Sequence, residues 1–269
     1  KDNISISGKG DIFLQKKKDF ISYDILKKKN NLNFKVNLII DKNPIFIDFL
    51  SYKKKPTLKA EASLTGSHKN NDKTMIKSFS YNEGKNQIKA YQILLNENLK
   101  INSLREIDLK YFDQDFRENQ IKIVKKKSNK YEIIGLKFNA NSLINSLIED
   151  NSNNLKIFDK DFDFKVKIDQ VFLDKEHLVN NLKGNLNLKN NQIRNAELNA
   201  FFSKNKKLTL TIKTNDTEKV TTLFLDQAEP IVKRYKFITG YKGGSLDFYS
   251  SKKGNKSSSN LKIYNFRLK

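Results

Sequence analysis

The chain has no cysteine and is poor in histidine, methionine and proline, with two, one and three residues respectively. Without cysteine there can be no disulfide, no thiolate metal site and no thiol nucleophile. His68 and His177 have no partners at the spacing of a zinc site or a catalytic triad, so we predict that both are solvated. The glycine-rich loops that bind phosphates or dinucleotides are also missing. These absences predict a protein that is not an enzyme and uses no metal or cofactor.

Long apolar runs are missing as well. No stretch reaches the roughly 18 apolar residues that a membrane-spanning helix needs, and no signal peptide pattern is present. The sequence therefore predicts no transmembrane helix in these 269 residues. Because the first residue is Lys1 rather than Met, we expect the chain to be a segment of a longer protein.

Positive charge is in large excess. Lys and Arg number 52 against 30 Asp and Glu, which gives a net charge of +22 and a pI near 9.8. Such a charge is typical of proteins that bind nucleic acid or anionic membranes. Only five of the basic residues are Arg, which nucleic-acid readers favour, and the lysines are spread along the whole chain. We therefore favour AT-rich codon usage as the cause, and keep a basic polyanion-binding β domain as an alternative.

The main positive signal is a hydrophobic period of two. It is clearest in Phe162–Asp169, where four apolar residues alternate with four charged ones. Similar segments recur along the chain, separated by Asn-, Lys- and Gly-rich breaks. With 19 Phe and 10 Tyr the chain can also build a sizeable core. The pattern predicts a mainly all-β fold, a long antiparallel sheet in one continuous domain, with a weak boundary near residues 150–154.

Two short segments follow a helical period instead. Leu143, Ile144 and Leu147 predict a helix near 141–149, and the second helix is expected near 227–236. There Asp226 is the candidate N-cap and Pro230 falls within the first turn. The glycines at 8, 10, 243 and 244 are interpreted as turn residues.

Alternation leaves the role of the apolar face open. A second layer covering it would make a closed core, and alternation alone favours that interpretation. If part of the face is uncovered, it would form a groove for an apolar ligand.

The C-terminal segments carry a family resemblance. Residues 225–235, 241–248 and 259–268 combine a strand, a short helix, a Gly-Gly-x-Leu strand and an x-L-x-I-x-x-F-x-L strand. This order resembles the AsmA-like superfamily, and within it the long YhdP-like members. The resemblance covers about residues 130–269 and weakens before them. The positions that match the family motif are Asp226, Ala228, Tyr235, Gly243, Gly244, Leu246 and Phe266.

The resemblance implies a bacterial envelope protein whose elongated, twisted antiparallel sheet curves into an apolar trough. It implies a periplasmic location, with anchoring to the inner membrane by an N-terminal helix that this segment lacks. Its expected partner is phospholipid, conducted between the inner and outer membranes without chemistry, with envelope proteins possible at the far end and no specific nucleic acid. An envelope scaffold or assembly protein without a lipid path is the alternative within this setting.

Groove-facing residues are chosen from the strands that alternate most cleanly, because their polar neighbours must face water. The predicted lipid contacts are Phe162, Phe164, Val166, Ile168, Leu182, Leu186, Leu188, Leu198, Phe202, Leu208, Leu210 and Ile212.

Overall fold

A computed structural model describes residues 3–15, 17–69, 73–148, 160–189, 192–235 and 238–268. About 71% of the chain is strand, and 17 strands form one large antiparallel sheet that is curved but not closed. Two short helices accompany the sheet. The prediction of an all-β, curved sheet with two short helices is confirmed.

The elements alternate almost entirely between strand and turn. The first half contains β1 (Asn3–Phe13), β2 (Lys18–Lys28), β3 (Asn31–Ile40), β4 (Phe46–Ile47), a 3₁₀ turn (Asp48–Leu50), β5 (Tyr52–Lys53), β6 (Ala60–Lys69), β7 (Thr74–Glu83), β8 (Asn86–Leu95), β9 (Ile101–Ser103), β10 (Glu106–Phe112), β11 (Glu118–Lys127) and β12 (Lys130–Asn139). The second half contains α1 (Asn141–Ile148), β13 (Phe162–Phe172), β14 (Leu178–Lys189), β15 (Gln192–Ser203), β16 (Lys206–Thr214), β17 (Lys219–Leu225), α2 (Glu229–Tyr235), β18 (Tyr241–Lys253) and β19 (Lys256–Leu268).

Neighbours in the sheet follow chain order closely. Strand β1 pairs with β2, β2 with β3, β3 with β6, and the pairing continues through β7, β8 and β10 to β19. The short β9 pairs with β8, while β4 and β5 form a separate two-stranded ribbon. Among the described residues, β1 pairs only with β2 and β19 only with β18, so these two strands are the edges.

One pair departs from the predicted antiparallel pattern. Strands β12 and β13 run parallel, with Ile133 opposite Val166. Parallel neighbours need a crossover connection rather than a hairpin, and α1 lies in that connection. The predicted boundary near 150–154 lies outside the described residues.

Because antiparallel hairpins reverse the chain, turns fall alternately at the two ends of the strands. At one end lie the connection 41–59, which contains β4, the 3₁₀ turn and β5, together with α1 and α2. We call this end the helix rim. The opposite end has short hairpins, from β2–β3 to β18–β19, and we call it the lysine rim.

Two hydrophobic clusters lie on the apolar face. The larger one joins strands β3 to β15 with the connection 41–59 and includes Leu50 and Tyr52. The smaller one packs Ala228 and Val232 of the α2 region against Leu225 and Leu246. Both helices and the connection thus cover the apolar face near the helix rim.

Some local predictions need correction. Helix α2 begins at Glu229 rather than 227, and Asp226 does not cap it, because its Oδ2 instead accepts the backbone N–H of Lys207 at 2.7 Å. Gly8 and Gly10 lie within β1 and not in a turn, and the Tyr23 ring occupies the space that a Gly8 side chain would need. Gly243 and Gly244 have positive φ angles of 70° and 75° at the start of β18, where a left-handed backbone suits glycine.

Candidate functional site: an apolar track between two rims

A continuous row of apolar residues crosses the sheet from one edge to the other. Each member is the direct cross-strand partner of the next, so the row is set by strand register. We call it the apolar track. It consists of Gly8, Tyr23, Val36, Leu64, Phe79, Ala90, Ile107, Ile123, Ile133, Val166, Gly184, Leu198, Leu210, Leu223, Phe248 and Leu261.

A second row runs beside the track, two residues nearer the helix rim. From β1 to β14 it contains Gly10, Ile21, Leu38, Ala62, Tyr81, Ile88, Leu109, Ile121, Gly135, Ile168 and Leu182. A register shift in β14–β15 interrupts it, and Ala200, Leu208, Leu225, Leu246 and Ile263 continue it to β19. The apolar surface is therefore at least two side chains wide.

Burial differs between the two rows. In the second row many side chains are buried by the covering elements, as for Ile121 at 5% and Leu246 at 0% exposed. Most residues of the track are only half-buried, and Leu261 at the β19 edge is 38% exposed. The apolar face is thus closed along the helix rim and partly accessible along its middle.

The structure brings the predicted groove residues together on this one face. Four of them, Phe162, Phe164, Val166 and Ile168 in β13, are at most 8% exposed and belong to the larger core cluster. The other eight, in β14, β15 and β16, are half-buried. Exposure on the apolar face thus increases from β13 toward β16. Lipid contact by these residues stays a prediction, and the four β13 side chains present little surface to a ligand in this conformation.

Sequence reasoning missed most of the track. The segments β2 to β12 and β17 to β19 contribute eleven members, for example Phe79, Ile123, Leu223 and Phe248, and the predicted strands β13 to β16 contribute four. Their alternation was visible in the sequence, but only the pairing registers show that they continue one row.

The residues matching the family motif cluster around α2. Ala228 and Leu246 are fully buried in the smaller cluster, and the Phe266 ring stacks on Tyr241 with centroids 5.5 Å apart. Tyr235 is the last residue of α2, and its side chain lies outside the described part of the structure.

Buried polar groups hold the covering elements at the helix rim. The Tyr52 hydroxyl donates to Glu83 Oε2 at 2.7 Å, and the backbone N–H of Lys55 donates to Glu83 Oε1 at 2.6 Å. Asn86 Nδ2 donates to the same carboxylate at 2.6 Å. Burial raises the pKa of Tyr81, which contacts the Tyr52 hydroxyl, to about 12. Because Tyr52 and Lys55 of the connection 41–59 both donate to the Glu83 carboxylate, these hydrogen bonds hold the connection on the apolar face.

His177 is not solvated as predicted. It is 8% exposed, its Nδ1 lies 2.8 Å from Asp174 Oδ2, and its Nε2 lies 3.6 Å from Glu229 Oε2. The prediction was wrong because the charged β13–β14 turn packs beneath α2 instead of projecting into water. The backbone N–H of Gly243 also donates to Glu229, which lowers the pKa of that carboxyl. His68 is half-buried, with Nδ1 2.9 Å from Thr74 Oγ1.

Charge is distributed unequally between the rims. Each hairpin here includes its turn and three strand residues on each side, within the described part of the chain. Six hairpins of the lysine rim (β2–β3, β6–β7, β11–β12, β14–β15, β16–β17, β18–β19) carry sixteen Lys or Arg against three Asp or Glu. Five hairpins of the helix rim (β1–β2, β7–β8, β10–β11, β13–β14, β15–β16) carry nine against eight. AT-rich codon usage would raise the number of lysines at both rims. It would not lower the number of acidic residues at only one of them.

A cleft of about 510 Å³ lies near the lysine rim at β12 to β16. Most residues that line it, including Lys165, Asn185 and Glu197, belong to the polar face of the sheet. The cleft is therefore distinct from the apolar track.

Comparison of the chain with protein-family models, with curated proteins and with solved structures finds no match. Within the described ranges, no group of three His, Asp or Glu residues is placed to hold a metal ion. No helix in the described part of the chain is both long and apolar enough to cross a membrane.

Proposed function

We propose that this chain binds the acyl chains of phospholipids on the apolar track and lets them move along it. The observation that carries the proposal is the row of directly paired apolar residues from β1 to β19, most of them half-buried, with Ala90 and Val166 buried. An isolated pocket would need only a few such positions. A row that reaches both open edges has the geometry of a path.

The dimensions suit a chain-like ligand. Neighbouring strands are about 4.8 Å apart, so the track has a contour length of roughly 70 Å. The hydrocarbon core of a bilayer is about 30 Å thick, so one acyl chain spans about 15 Å. Several lipids therefore fit end to end.

Movement along such a track needs no catalytic group. Each methylene removed from water contributes about 0.8 kcal/mol, which holds an acyl chain on the apolar surface. Because the surface continues in the next strand, sliding by one strand exposes about as many methylenes as it covers. The binding energy then opposes escape into water more than it opposes movement along the track.

The wider setting is supported by the resemblance of residues 130–269 to the AsmA-like superfamily. On that basis we propose that the chain is part of an inner-membrane-anchored periplasmic protein that moves phospholipids toward the outer membrane.

The test replaces two paired track residues by a polar residue. Leu210→Gln with Leu223→Gln places two amides in the track at β16 and β17, where the leucines are only half-buried. The matched control is Thr211→Gln with Thr222→Gln, the adjacent pair on the opposite face. Native mass spectrometry of the purified chain measures co-purified phospholipid, and circular dichroism monitors folding.

We expect the track variant to fold and to lose at least about tenfold in bound lipid, while the control keeps it. Two lost apolar contacts of ~1 kcal/mol each give that factor. Equal lipid content in both variants would contradict the path. A folded wild-type chain without any lipid would favour the envelope scaffold.

The net charge of +22 supports one other function, the binding of polyanions such as nucleic acid. In that case the affinity for arbitrary duplex DNA should fall linearly in log salt, and both glutamine variants should bind DNA equally well.

A further inference from the structure

On the apolar face, which we also call the inner face, the side chains of several strands change from apolar residues to lysine toward the lysine rim. In β17 the inward residues are Leu225, Leu223, Thr221 and Lys219 from the helix rim to the lysine rim. Their cross-strand partners in β18 are Leu246, Phe248, Ser250 and Lys252. Two neighbouring strands thus present the same order of apolar, hydroxyl and ammonium groups.

The same order recurs at a distance. Strand β2 places Ile21, Tyr23 and Ile25 before Lys27, and the partner of Lys27 is the inward Leu32 of β3. In β11 the inward Ile121 and Ile123 precede Lys125, which pairs with Tyr131 of β12. We call Lys27, Lys125, Lys219 and Lys252 the inner-rim lysines.

This order matches the chemistry of a phospholipid from acyl chain to phosphate. Lys219 lies four residues from the track residue Leu223, a distance of about 13 Å along a strand. A lipid whose acyl chain runs along the track from Leu223 therefore has its ester groups on the side of Thr221 and Ser250, and its phosphate toward the lysine rim.

We propose that the inner-rim lysines bind the headgroup phosphates and make the groove select phospholipids of net negative charge. This inference deepens the proposed function and rests on it. A zwitterionic headgroup carries its own cation beside the phosphate, so it gains less from a second one. A net-anionic headgroup lacks that cation and gains the full interaction with a lysine that it contacts.

The experiment offers the purified chain equimolar phosphatidylglycerol and phosphatidylcholine in mixed vesicles, and native mass spectrometry gives the ratio of the two bound lipids. The test variant changes the four inner-rim lysines to Gln. The control changes Lys28, Lys130, Lys189 and Lys213 to Gln, which lie at the same rim on the outer face. Both variants lose the same net charge.

For the wild type we expect phosphatidylglycerol to be enriched roughly fivefold, since one lysine near an anionic lipid contributes about 1 kcal/mol. The inner-rim variant should bind the two lipids nearly equally with unchanged total lipid, and the control should keep the enrichment. Two results would overturn the inference while leaving the track intact: no enrichment in the wild type, or the same loss in both variants. Absence of any bound lipid in the wild type would instead remove the proposed function itself.

Discussion

Val166 shows how a single position reports the state of the apolar face. It lies at the centre of β13, is 4% exposed, and is paired with Ile133 on one side and Gly184 on the other. Val166→Asp would bury a carboxylate without a partner, which costs several kcal/mol. We expect the variant to unfold at a much lower urea concentration than the wild type.

The control is Lys167→Asp, the next residue on the exposed polar face, which should change the unfolding free energy by about 0.5 kcal/mol or less. If Val166→Asp melts like the wild type, water reaches the β13 face and the side chain is part of an open groove. The same substitution thus separates core from groove at this position.

At the scale of elements, the contact between β14 and β15 depends on one glycine. Gly184 has a φ of +154°, and a Cβ added there would lie 1.8 Å from the backbone oxygen of Glu197. Gly184→Ala must push the two strands apart or bend β14, so we expect a destabilisation of roughly 1–3 kcal/mol in urea unfolding.

Gly10→Ala provides the comparison, because nothing lies within 4 Å of its added Cβ in the edge strand β1. Its effect should be small or slightly stabilising, since alanine restricts the unfolded chain. Similar losses in the two variants would mean that the strands do not approach closely at Gly184.

At the scale of the whole molecule, the sheet is a long ribbon whose stability should vary along its length. The central β13 contributes five buried side chains, whereas β19 has one described neighbour and is exposed at almost every residue. Amide exchange through local opening costs less where few apolar contacts must break.

We therefore expect hydrogen exchange, measured by mass spectrometry of peptides, to be slowest in β12 to β14. The edge strands β1 and β19 should exchange fastest, although both are long and fully paired on one side. Slow exchange in β19 equal to that in β13 would show that another strand covers this edge.

The sequence by itself determined the secondary structure class of this protein. The alternation in Phe162–Asp169 becomes the buried and exposed faces of β13 residue by residue, because side chains of a strand point to opposite faces. Leu143, Ile144 and Leu147 follow a helical period, and this stripe likewise becomes α1. These patterns are local, so a few residues carry the whole signal. The start of α2 was missed by two residues, since Asp226 accepts a hydrogen bond from Lys207 in β16 instead of capping the helix.

Only the tertiary structure decided what the strands build together. The track depends on which residue of one strand faces which residue of the next, and a slip of one position would turn a side chain to the opposite face. The burial of His177 depends on α2, more than fifty residues away in the chain. The lysine rim emerges because hairpins reverse the chain and bring alternate turns to one end of the sheet. Register and chain reversal are properties of pairing between distant segments, and no single segment contains them.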